Sequence, residues 1–186
     1  MENTEFRLNE SKFFLKRMKE NKEKSPEFEY YLNAYVSSAR SVLWIMKSEY
    51  SKLKEWGKWY DNKGVSQEQK KLLDGIVKMR NRSLKQRPLK VRKYATIGDD
   101  KSFCDIDEVF KKFIGKRVNI KIEPIEDLKN LKGFNIYNDN NHTEVTGKLK
   151  ISTTVEEFKN EDIINICEEY DVWLSNITSE CINIFG

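Results

Sequence analysis

A single histidine, His142, occurs in 186 residues. A metal centre built on several imidazoles is thereby ruled out, and a Ser-His-Asp triad or a Cys-His pair would rest on that one side chain. Cysteine is scarce too. Cys104, Cys167 and Cys181 form no C-x-x-C and are odd in number. They read as reduced thiols in a cytoplasmic protein, not as a disulfide framework. There is no Gly-rich phosphate loop, no H-E-x-x-H and no nucleophile elbow. Internal repeats and low-complexity segments are also missing. The opening stretch MENTEFRLNE holds no apolar run, so neither a signal peptide nor a transmembrane helix is expected. The expectation is a cytoplasmic chain with no membrane, metal or cofactor.

What is present is charged and aromatic. Asp, Glu, Lys and Arg make up 34% of the chain and the hydrophobic set 38%, with ten Phe, eight Tyr and four Trp. That supply of apolar bulk is enough for a core, so the chain reads as folded. A net charge of +4 is too small to imply nucleic acid by itself, and the distribution of charge says more. The length suits one domain over 1–186 that carries an insertion.

Residues 5–24 read as an amphipathic helix with Phe6, Phe13, Phe14 and Met18 as its apolar contacts. Ser25-Pro26-Glu27 restarts the chain. A long helix over 26–54 follows, with a stripe of Phe28, Leu32, Tyr35, Val36, Ala39, Val42, Leu43, Met46, Tyr50 and Leu53. Opposite that stripe Ala34, Ser37, Ser38, Ser41 and Ser48 are all small. Such a face either lets a second helix approach closely, as in a homodimer, or is plain polar surface. Asn33, Arg40 and Trp44 share one edge, where tryptophan and arginine suit stacking. Residues 55–64 form a connector.

Further on, DIDEVFKKFI over 105–114 fits a short helix capped by Asp105 and closed by Gly115. VNIKIEP, GFNIYN and EVTGKLKIST have strand character, and NDNNH is a turn cluster, so 116–155 is expected to be a small inserted antiparallel sheet. A last helix over 160–185 carries Ile163, Cys167, Tyr170, Leu174, Ile177, Cys181 and Phe185 on one side. Its expected place is back in the bundle. The acids Asp105, Asp107 and Glu108, and Glu156, Glu157, Glu161 and Asp162, read as helix-opening residues. His142 reads as an exposed turn residue. The fold class is therefore mainly α, an antiparallel helical bundle with a small inserted antiparallel β-sheet.

The functional reading centres on 66–93, SQEQKKLLDGIVKMRNRSLKQRPLKVRK. Ser66 and Gln69 fit a capping box, and Pro88 stops the helix. With Leu72 at zero and about 100° per residue, Ile76 falls near 40°, Leu73 near 100°, Leu84 near 120° and Val77 near 140°. Arg80, at about 80° on the same wheel, divides that arc. It is expected to be largely buried, either paired with a carboxylate such as Glu29 or Glu49 or opening into a cleft. From Lys78 the chain runs through Arg80, Arg82, Lys85, Arg87, Lys90, Arg92 and Lys93 with no acid among them. Of these, the seven from Arg80 to Lys93 are the candidate RNA- or phosphate-binding set.

The R-N-x-S-x-K of Arg80, Asn81, Ser83 and Lys85 resembles the R-N-x-x-x-H helix motif of the HEPN superfamily. FEYYLNAYVSSARSV, residues 28–42, resembles the long preceding helix of HEPN-like bacterial proteins, and the resemblance covers 26–88. It implies an antiparallel helical bundle that dimerises through the motif-bearing face. Active members are metal-independent endoribonucleases in which arginine and histidine from two protomers surround the scissile phosphate and the ribose 2′-OH attacks. On that pattern Arg80, Asn81 and Lys85 are the catalytic candidates. Lysine stands where the family has histidine. An imidazole titrates near 6.5 and an ammonium near 10.4, so Lys85 suits holding a phosphate better than moving a proton. Three functions follow: an RNA- or phosphate-binding regulator with a degenerate site, an active ribonuclease of toxin or defence type, and a structural dimer module.

Overall fold

The helical stripes expected from sequence meet in one core. In the computed structural model, residues 2–98, 103–105, 118–121, 135–138, 148–159 and 161–186 are described, with side chains over 3–93, 152–159 and 161–186. The chain divides into two units, Met1–Val91 with Val155–Gly186, and Arg92–Thr154. The first is helical and holds α1 (Glu2–Glu20), α2 (Glu27–Tyr50), α3 (Trp56–Asp61), α4 (Gln67–Lys85) and α5 (Ile163–Phe185). No helix among the described residues is long and apolar enough to cross a membrane.

Helix α2 buries Phe28, Leu32, Tyr35, Val36, Ala39, Val42, Leu43, Met46 and Tyr50, as its stripe requires. It ends at Tyr50, and Leu53 is exposed beyond it. From α5, Ile163, Cys167, Tyr170, Leu174, Ile177 and Cys181 enter the same core, and α4 adds Leu72, Ile76 and Met79. The Tyr35 hydroxyl donates to the Cys167 carbonyl at 2.7 Å, which ties α2 to α5 through the interior. Burial raises the pKa of both the Tyr35 hydroxyl and the Cys167 thiol.

Helix α1 departs from its expected face. Phe6 and Phe13 are exposed. The buried seam is Thr4, Leu8, Ser11, Leu15 and Met18, spaced by four and three, and it lies along α2. Two small hydroxyl residues can sit in such a seam because their oxygens find local partners. Ser11 Oγ, for example, donates to the Leu8 carbonyl at 2.8 Å.

The described residues of the second unit are β structure. Strand β1 (Arg92–Gly98) is central in a three-stranded antiparallel sheet of order β2-β1-β5, with β2 (Phe103–Asp105) and β5 (Lys148–Thr154). Strands β3 (Val118–Lys121) and β4 (Asn135–Asn138) form a separate antiparallel pair. Three of the five strands fall where the alternation placed them. The other two, β1 and β2, precede residue 116. The expected helix over 105–114 beyond Asp105, the Gly115 cap and His142 lie outside the described residues. Asp105 itself ends β2.

After β5 the chain re-enters the helical unit through Val155 and Phe158, both buried and joined by a β-bridge. Asp162 then caps α5, its carboxylate accepting from the Ile164 amide at 2.9 Å.

Candidate functional site

The capping box at the start of α4 is complete. The Gln69 amide donates to Ser66 Oγ at 3.1 Å, and the Ser66 amide donates to Gln69 Oε1 at 2.9 Å. This fixes the helix phase, which differs from the expected one. On the same wheel the buried residues Gly75, Met79, Leu72 and Ile76 fall at ~300°, ~340°, ~0° and ~40°. The core arc is thus centred close to Leu72, not close to Arg80. Leu84 is exposed, and Leu73 and Val77 are half-buried.

Arg80 is correspondingly not the buried arginine. It is half-buried, and its guanidinium reaches only Asn81 Oδ1, at 3.4 Å. The more enclosed arginine is Arg82, half-buried with 12% of its side chain exposed. Its Nη1 meets Glu156 at 2.5 Å and its Nη2 meets Glu157 at 2.7 Å. Glu156 also takes Arg87 Nη2 at 3.1 Å. The partners are therefore not Glu29 or Glu49. Glu29 accepts from Ser25, and Glu49 accepts from Asn3 and Thr4. Of the acids read as opening the last helix, Asp162 caps it, whereas Glu156 and Glu157 neutralise arginines and Glu161 pairs with Lys71 at 3.1 Å.

Ser83 has a positional role. Its hydroxyl donates to Asn33 Oδ1, which also accepts from the Leu89 amide at 3.0 Å. Asn33 Nδ2 donates to the carbonyls of Glu29 and Leu89 at 2.6 and 3.3 Å. One side chain of α2 thus holds both backbone polar groups of Leu89, and Leu89 is fully buried. Proline at 88 ends the helix, and Asn33 fixes where the chain goes next. Sequence inspection grouped Asn33 with Arg40 and Trp44 without seeing this role.

The site therefore sorts into three groups. Arg82 and Arg87 are spent on Glu156 and Glu157. Asn81 and Lys85 are exposed at the C-terminal end of α4 with Arg80 half-buried near them, and Lys90 is exposed beyond. Among the described residues no carboxylate lies within ion-pair distance of Arg80, Lys85 or Lys90. Arg92 and Lys93 open β1 in the second unit.

Arg40 does not stack on Trp44, which is exposed. It lies beside the Tyr170 hydroxyl, whose pKa burial raises despite the arginine's opposing charge. Cys167 and Cys181 are free, buried thiols with raised pKa values, unsuited to act as nucleophiles. Among the described residues no group of three or more His, Cys, Asp or Glu could hold a metal ion.

Comparison with known proteins adds no relative: no family model, curated protein or solved structure matches the chain.

Proposed function

We propose that this chain is a HEPN-like, homodimeric RNA-binding protein whose degenerate R-N-x-S-x-K helix grips phosphate instead of cutting it. The observation that carries the reading is the contrast within α4. Arg82 and Arg87 are neutralised by carboxylates, whereas half-buried Arg80 and exposed Lys85 have none among the described residues. Ser83, the motif's third residue, supports them by anchoring the helix end to Asn33. Lysine in place of histidine removes the group that would titrate near neutral pH, which favours binding over cleavage.

The homodimer rests on α2. Ala34, Ser37 and Ser41 stay partly exposed between Tyr30 and Trp44, which are 65% and 64% exposed. A second copy covering that face would bury two aromatic rings against small residues. Because Asn33 ties the motif end of α4 to α2, pairing there draws the two motifs together. A stable interface of this kind covers on the order of 1,000 Å² or more, and light scattering at high concentration reads it directly.

Fluorescence anisotropy with a single-stranded RNA across a salt series tests the site. Arg80→Ala is expected to weaken binding and to flatten the slope of log affinity against log salt by about 0.7, the value for one lost phosphate contact on a single strand. Lys85→His restores the family's residue, and metal-independent cleavage by that variant would mark a latent ribonuclease. A structural dimer module is the second reading, favoured by the Arg82 ion pairs. RNA binding that is absent, or unchanged in Arg80→Ala, selects it.

A further inference from the structure

A cleft of about 290 Å³ opens within the helical unit, away from the motif. It is walled by Tyr60 after α3's first turn, by Tyr170 and Trp173 of α5, and by Arg40 of α2, over an aliphatic floor. The Tyr170 and Trp173 rings stack on each other, 5.9 Å between centroids and 11° from parallel. Tyr170 is buried and backs Trp173, whose half-buried ring is the one open to the cleft. Pockets for drug-sized ligands start at about 300 Å³, so the space suits a small ring system.

The charges select among such rings. Arg40 is half-buried beside Tyr170 and makes no ion pair with any described carboxylate. Lys63, the other cation at the cleft, is already committed to Glu180 and lies over the Trp59 ring at 4.8 Å. Asp74 stands at the exposed rim, where water screens it. One guanidinium, hydrogen-bonded to the Tyr170 hydroxyl but with no described carboxylate on it, therefore lines an aromatic-walled space. A guanidinium fork matches a carboxylate with two parallel hydrogen bonds, and aromatic walls favour a flat body behind it.

We propose that this cleft binds a small planar aromatic carboxylate, its ring against Trp173 and Tyr60 and its carboxylate on Arg40. The proposal is independent of RNA binding, since none of the exposed motif residues lines the cleft.

Isothermal titration calorimetry of the full chain with 2-naphthoate and its neutral isostere 2-naphthamide tests it. The carboxylate is expected to bind at least about tenfold more tightly, the scale of one charge-assisted contact. Arg40→Gln should abolish that preference while Arg80→Ala leaves it intact, and far-UV circular dichroism checks that both variants keep their helices. Absence of saturable naphthoate binding at millimolar concentration overturns the proposal. So does equal affinity for the amide in the unaltered protein, a comparison that needs no variant to fold. A preference that survives in folded Arg40→Gln overturns it as well.

Discussion

Two positions along α4 separate Arg80 from Arg82, about 200° around the helix axis. That rotation takes one guanidinium to Asn81 at a half-buried position and the other against Glu156 and Glu157. The sequence pattern put the enclosed arginine at Arg80, and the structure has Arg82 as the more enclosed of the two. The apolar arc drawn from Leu72, Leu73, Ile76, Val77 and Leu84 omitted Gly75 and Met79, and those two residues move its centre. The carboxylate partners lie some seventy residues on, beyond the reach of any local pattern. Arg82→Met should lower stability by about 2–4 kcal/mol, because it leaves Glu157, slightly more enclosed than Arg82, without a counter-charge. Chemical denaturation measures this. Adding Glu157→Leu to Arg82→Met should recover part of the loss, since two apolar groups need no pairing. A double variant no more stable than the single one would refute the account.

At the level of elements, close approach explains what periodicity missed. Gly75 reads as a helix-weakening residue, yet it is where the returning chain packs. A Cβ there would come within 2.1 Å of the Phe158 ring tip. Gly75→Ala gains about 1 kcal/mol in helix propensity but overpacks a buried ring at about 1–3 kcal/mol, so a net loss is expected. In a Phe158→Leu background the same change should turn neutral or stabilising, which a double-variant cycle in urea resolves. The junction of α1 and α2 gives a pH dependence. Burial pushes Glu49 upward, but hydrogen bonds led by that from Thr4 outweigh it and bring its pKa from 4.5 to about 2. A carboxyl depressed in the folded state stabilises above its unfolded pKa and loses that contribution as pH falls through the folded one. The urea midpoint of the unaltered protein should therefore exceed that of Glu49→Gln above pH 4.5, and the gap should close as pH falls toward about 2. A gap that is constant with pH would show that Glu49 acts through packing alone. Strand β1 was illegible for a different reason. Its Arg92 and Lys93 continue a basic run, and charge masked the alternation that Tyr94, Ala95, Thr96 and Ile97 carry.

For the molecule as a whole, the long helices with wide apolar stripes were readable because each can bury only one face. Three of them had to share a core. The extent of the β unit was not readable, since short strands leave weak local signals. The register of β1 against β5 makes that unit separable. Arg92 pairs with Thr154, so the two points where the helical unit is interrupted lie side by side, about 5 Å apart at their Cα atoms. Among the described residues, the apolar core of the helical unit is built from residues outside 92–154. Replacing 92–154 with a short Gly-containing turn should leave a chain that melts cooperatively and keeps the helical circular-dichroism signal of α1 to α5. The loop-closure cost of the sheet unit is removed at the same time, and it changes by only about 0.6 kcal/mol per doubling of loop length, so stability should move little in either direction. The Asn33 clamp on Leu89 and the Arg82 pairs to Glu156 and Glu157 both survive the excision, and each holds one side of the junction in place. A shortened chain without a cooperative transition would show that the helical unit depends on the sheet for its fold.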